Sequence, residues 1–176
     1  MTQLYAHIPV IETDRLILRE MRETDLDVIA DFFADDRSTF VGGTKSRSDS
    51  WRVIAGALGH WLLRGYGMWL VADRRTDRAI GGVGFLNPEG WDEPELGWHL
   101  YNGHEGKGYA YEAATAARAY GAAHFGLDGV ISYIAPGNTR SAALADRMGA
   151  TVERQGVLLG HDVNVYRHPK VAGRSA

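Results

Sequence analysis

Glu95-Leu-Gly-Trp-His-Leu-Tyr101, followed by Asn-Gly-His-Glu-Gly-Lys-Gly-Tyr-Ala110, holds the residue types best suited to chemistry. An extended segment runs into a loop carrying Gly103, Gly106 and Gly108, and the loop runs into an alanine-rich stretch. Glycine lets the backbone approach a ligand with no Cβ in the way. The first N–H groups of a helix lack internal acceptors and lie at the positive end of its dipole. Together these features make an anion pocket, most naturally for a phosphate or pyrophosphate. The same glycines would equally serve a plain strand–helix turn. Two phosphate motifs fail on spacing. A P-loop needs a hydroxyl after its lysine, but Gly108 follows Lys107, and the dinucleotide fingerprint fails because position 111 is Tyr.

The elements that must position this stretch follow from periodicity. Val10–Met21 alternates, with Leu16 and Leu18 on one face and Arg15, Ile17 and Arg19 on the other, which predicts a strand with solvated arginines. Thr24 caps a helix running to about Asp35, and Asp35–Ser50, with Gly42 and Gly43, reads as a polar loop. Trp51, Ile54, Leu58, Trp61 and Leu62 fall at helical spacing up to Gly65. Strands are predicted over Gly67–Asp73, Ile80–Leu86 and Glu95–Tyr101, with a turn-rich loop at Asn87–Pro94. Tyr109–Phe125 is a helix, Val130–Ala135 a strand, and Asn138 opens a short helix ending at Met148–Gly149. Thr151–Leu159 and Val163–His168 form a hairpin. Trp51, Trp61 and Trp69 read as core, and Ala113, Ala114, Ala117 and Gly121 as a close-packing helix face. The order predicts a mixed α/β (α+β) domain with a largely antiparallel first half.

Composition bounds the function. The 176 residues suffice for one domain, spanning 1–176, with 45% hydrophobic and 23% charged residues. A net charge of −3 argues against a nucleic-acid partner. The absence of cysteine excludes a disulfide scaffold and a thiolate nucleophile. His99 and His104 lack a carboxylate partner at ligand spacing, so no metal is expected. Met1–Val10 lacks the basic start and apolar core of a signal peptide, and no apolar run approaches the roughly 20 residues that span a bilayer. The expectation is a cytoplasmic protein with no membrane partner.

Gly106-Lys107-Gly108-Tyr109-Ala110-Tyr111-Glu112-Ala113 resembles motif A of the GNAT superfamily of acyl-CoA N-acyltransferases, written [Q/R]-x-x-G-x-[G/A]. Gly108 and Ala110 match, whereas Glu105 stands where the family has Gln or Arg. A carboxylate there cannot donate to a phosphate, so its side chain is expected to point away. Thr13-Asp-Arg-Leu-Ile-Leu-Arg19, Glu95-Leu-Gly-Trp-His-Leu100, and Asn138-Thr-Arg-Ser141 with Leu144 and Met148-Gly149-Ala150 resemble the Rim-type branch, which acetylates ribosomal-protein N-termini. The resemblance covers nearly the whole chain.

It implies a GNAT fold with a twisted, mostly antiparallel sheet of about seven strands and a splay between the fourth and fifth. It also implies acetyl-CoA as cosubstrate and direct transfer to an amine. The pantetheine arm would pair with backbone around Leu100 and Tyr101, and the pyrophosphate would sit on the amides of Glu105, Gly106, Lys107, Gly108, Tyr109 and Ala110. A backbone N–H near His99–Leu100 would face the thioester oxygen. Glu95, beside the splay, is the first choice of base and an exposed edge carboxylate the alternative. His99, four residues on and on the same face, is the second choice, with a half-buried structural histidine as its alternative. Asn138 would bond the pantetheine arm, while also serving as a helix cap, and Ser141 would support the leaving thiolate. Trp91 and Asp92 would line the acceptor cleft, where Asp92, Glu93 and Glu95 offer an acidic rim to a cationic amine. A homodimer is compatible with this reading. The rival functions are an acyl-CoA-binding sensor of the same fold and a nucleotide binder on another α/β fold. The acceptor's identity stays open.

Overall fold

A computed structural model describes residues 7–171, so the first six residues of the Met1–Val10 reading lie outside it. The Val10–Met21 segment is two strands rather than one: β1 (Ile11–Glu12) and β2 (Leu16–Arg19). Thr13 turns the chain between them, its hydroxyl accepting from the Leu16 amide at 3.0 Å. This turn raises the strand number to eight. A 3₁₀ turn (Glu23–Asp25) takes Thr24 into itself, and α1 (Leu26–Ala34) follows. Asp35–Ser50 is not simply a loop. It contains a 3₁₀ helix (Asp36–Val41) and the start of α2 (Arg47–Arg64). Ser46 caps α2 by accepting from the Asp49 amide at 3.1 Å.

The remaining elements are β3 (Met68–Asp73), β4 (Ala79–Leu86), β5 (Glu95–Leu100), α3 (Tyr109–His124), β6 (Ile131–Ile134), α4 (Thr139–Arg147), β7 (Thr151–Leu158) and β8 (His161–Arg167). They form one sheet in the order β1-β2-β3-β4-β5-β6-β8-β7. Every neighbouring pair is antiparallel except β5–β6. The β7–β8 turn is Leu159-Gly160, both at positive φ, the geometry of a two-residue hairpin that follows the sheet twist.

Both faces are covered. One core gathers Leu16, Leu18, Trp69, Val83, Phe85 and Leu96 with Ala113, Ala114 and Ala117 of α3. A second gathers Ile29, Phe32 and Phe33 of α1 and Ile54 of α2 with Leu70, Ala72 and Tyr101. The small face of α3 lets it lie close on the sheet: a Cβ on Gly121 would run into the Phe85 ring. Because the second face is covered, Arg19 is buried rather than solvated. Its guanidinium bonds Asp25 twice at 2.9 Å and Asp77 at 2.6 Å. Burial alone would lower its pKa, but these carboxylates hold it above its ordinary value. Arg15 stays half exposed. Trp61 and Trp69 are core as predicted, but Trp51 is exposed and donates its indole N–H to Glu23 at 2.7 Å.

Candidate functional site

The parallel neighbours β5 and β6 share a single register pair, Glu95 with Ile131, and then part. Backbone polarity in the gap follows from alternation along β5. Tyr101 N–H is bonded to the Ile80 carbonyl of β4 at 2.8 Å, whereas the Leu96 carbonyl faces β6 and accepts from Ser132 Oγ at 2.6 Å. Trp98 and Leu100 therefore turn their amides and carbonyls into the gap. Leu100 faces the gap. Tyr101 does not: its amide is taken by β4, and its side chain is buried in the second core, which raises its hydroxyl pKa above the ordinary value. The amide of His99 likewise faces β4, leaving Trp98 and Leu100 as the N–H groups a thioester oxygen would meet.

Two side chains close the narrow end of the gap. Glu95 Oε2 accepts from the Tyr133 amide of β6 at 3.2 Å, and Oε1 accepts from Trp91 Nε1 at 2.9 Å. Ser132 Oγ bonds the Leu96 carbonyl, as above, and lies 2.9 Å from His168 Nε2. Glu95 is thus a buried carboxylate, not an exposed edge one. Burial raises its pKa against the opposing pull of the Trp91 and Tyr133 hydrogen bonds. His99 shares its face of β5. Its ring stacks on Phe32 at 5.1 Å, and the missing Cβ of Gly82 makes room for it. Burial pushes the imidazole down to about 4, so it is neutral at physiological pH. A carboxylate fixed by two hydrogen bonds, with its pKa raised above the ordinary value, suits proton transfer better than an imidazole that resists protonation.

At the wide end, Gly103, Gly106 and Gly108 all take positive φ, and Gly108 is the left-handed N-cap of α3. His104 N–H bonds the Tyr101 carbonyl at 3.3 Å, and the first helical bond of α3 runs from Glu112 to Gly108 at 3.1 Å. The amides between them, from Glu105 to Tyr111, have no acceptor among the described residues. Lys107 Nζ turns back onto the Gly103 carbonyl at 2.7 Å. Glu105 forms an ion pair with Arg37 from the 3₁₀ helix. Arg15 bonds the Lys107 carbonyl at 2.9 Å, pairs with Glu112 at 2.6 Å and lies over the Tyr109 ring. Neither arginine was legible as a neighbour of this loop, because both come from distant parts of the chain.

Asn138 caps α4, its Oδ1 accepting from the Ser141 amide at 3.2 Å. Ser141 is half-buried in the first turn, and its hydroxyl has no partner among the described residues. At the acceptor end the expected acidic rim is largely neutralised. Glu93 forms a two-pronged pair with Arg167 at 2.6 and 2.9 Å, Asp92 lies 3.5 Å from Arg154, and Glu95 is buried. Trp91 holds Glu95 and meets Tyr133 edge-on, so it lines this end. Among the described residues no group of three or more His, Cys, Asp or Glu is gathered that could hold a metal ion. Among the described residues no helix is long and apolar enough to cross a membrane.

The β5–β6 pair parts after one register pair and opens onto glycine-bent amides, and comparison with known proteins supplies the class of the fold. Residues 15–151 match the model of the acetyltransferase (GNAT) domain. The N-acetyltransferase YoaA of Bacillus subtilis, whose function is uncharacterised, is 28% identical over 90% of this chain and 95% of its own. The acetyltransferase from Agrobacterium tumefaciens strain C58 superposes with a TM-score of 0.86 at 37% identity, covering 97% of this chain and 99% of that one. RimL, the ribosomal L7/L12 α-N-protein acetyltransferase solved with coenzyme A, shares the fold at a TM-score of 0.74 and 20% identity, over 92% and 98% of the two chains. The chain belongs to the GNAT acetyltransferase family and is an acetyltransferase of that fold.

Proposed function

We propose that this protein moves an acetyl group directly from acetyl-CoA to a primary amine, either a peptide N-terminus or a small-molecule amine. The observation that carries the reading is the β5–β6 gap, lined by the free backbone groups of Trp98 and Leu100 and opening onto the unbonded amides of 105–111. A pantetheine arm completes such a gap as an added strand would. The amides of Glu105 to Ala110 take the diphosphate at the α3 N-terminus. When bound, the thioester supplies an activated acyl carbonyl. The N–H of Trp98 or Leu100 stabilises charge developing on that carbonyl oxygen. Glu95 accepts the proton of the attacking amine, directly or through water, with Trp91 and the Tyr133 amide fixing its carboxylate. Asn138 and Ser141, at the start of α4, bind the arm and support the leaving thiolate. Trp91 and Asp92 line the acceptor entrance.

RimL is a ribosomal L7/L12 α-N-protein acetyltransferase, and neighbours of the same fold are described as modifying an N-terminal serine or as a ribosomal-protein-S5-alanine acetyltransferase, so peptides beginning with Ser or Ala are the first acceptors to try. The test is an acetylation screen of such peptides, polyamines and aminoglycosides, read by mass spectrometry with release of free thiol. Acetyl transfer with stoichiometric thiol release is the expected result. Coenzyme A binding without turnover on any amine would favour a sensor instead.

A further inference from the structure

Glu105 puts a negative charge at the rim of a loop whose free amides suit an anion, and a nearby like charge opposes anion binding. The loop's cations do not obviously cancel it. Lys107 Nζ is folded onto the Gly103 carbonyl, and Arg15 is paired with Glu112. Arg37 differs: its guanidinium has Glu105 as its one partner among the described residues, and both side chains are about one-third exposed, at 35% and 30%. The short helix carrying Arg37 also reaches the other wall of the gap. Phe40 lies against Gly137, in the turn between β6 and α4, where a Cβ would sit 3.7 Å from the ring. Residues 36–41 therefore touch both the loop after β5 and the turn after β6, across the open end through which the arm must pass.

We propose that Arg37 is a cofactor-binding residue that grips the diphosphate of acetyl-CoA while Glu105 holds it in place, an inference resting on the cofactor reading above. The chemistry of guanidinium allows this double use. Its five N–H donors form a planar fork, so one edge serves the Glu105 carboxylate and another faces a phosphate. The pair delivers to the loop a cation from the α1–α2 connection, and it restores the favourable charge that Glu105 removes. Lysine, with a single point charge, would satisfy only one of the two anions well.

The test measures coenzyme A affinity by calorimetry for the wild type and for Arg37→Gln, Arg37→Lys and Glu105→Gln, with pantetheine, which lacks the diphosphate, titrated by NMR as the control probe. Arg37→Gln is expected to weaken coenzyme A binding about tenfold to a hundredfold, as loss of a charge-assisted contact does. It should leave pantetheine binding unchanged and flatten the salt dependence of the coenzyme A constant. Arg37→Lys should recover part of the loss, and Glu105→Gln, which removes the tether together with the repulsion, should change coenzyme A affinity less than Arg37→Gln does. Thermal unfolding of the free variants should match the wild type, because a partly exposed pair adds little stability. Unchanged coenzyme A affinity in Arg37→Gln, or an equal loss for coenzyme A and pantetheine, overturns the role of Arg37. Failure of the wild type to bind coenzyme A overturns the cofactor reading instead.

Discussion

Glu95 is the residue on which the proposed chemistry turns, and its environment gives a signed expectation. Burial disfavours the ionised carboxylate, so the folded-state pKa stands above the ordinary one. The stability associated with its protonated form is full below the ordinary carboxylate pKa and is lost as pH rises through the folded value. The acid limb of kcat/KM should accordingly lie above the usual carboxylate range. Glu95→Gln should lower kcat by about 100-fold or more and remove that limb, while coenzyme A affinity holds. A full pH–rate profile of both proteins checks this. The sequence placed Glu95 and His99 on one face of one strand, because alternation is local. It could not show that the Tyr133 amide completes the carboxylate's surroundings, because that contact crosses from β5 to β6. The same limit hid Arg37 and Ser132, whose partners lie 68 and 36 positions away. Arg19, expected in solvent, is buried for a related reason. Alternation shows which side chains share a face, not whether a helix covers it.

At the scale of elements, α3 matters most, since it carries the amides onto the gap. Its docking depends on a glycine. A Cβ at Gly121 would meet Phe85, which is fully buried and cannot move aside. Alanine would gain about 1 kcal/mol of helix propensity, but overpacking costs about 1–3 kcal/mol. Gly121→Ala should therefore lower the melting temperature despite being a better helix former, as differential scanning calorimetry would reveal. The small-residue face of α3, the Asn138 cap and the closing hairpin were all legible, because each depends on residues within a turn or two. The 3₁₀ helix at Asp36–Val41 was not. Its polar, glycine-flanked sequence reads as loop, and its contacts with Glu105 and Gly137 are tertiary.

The molecule as a whole should be acid-sensitive above the range of ordinary carboxylates. Burial pushes both His99 and His168 down to about 4, with Arg118 and Arg167 adding to the effect at His168. A base held neutral in the fold contributes stability that is fully present above the ordinary histidine pKa and is lost as pH falls from about 6.5 towards the folded value. Melting temperatures between pH 7 and pH 5 should fall. His168→Gln, which keeps a donor for Ser132, should make that fall shallower.

The narrow joint between β5 and β6 has one more consequence. With a single register pair there, the sheet is two panels meeting at a seam: β1 to β5 on one side, and β6, β8 and β7 on the other. A ligand threaded along the seam would act as mortar. In deuterated buffer, the Trp98 and Leu100 amides should exchange quickly in the empty protein and slow markedly once coenzyme A is added, while Tyr101, already bonded to Ile80, keeps its pace.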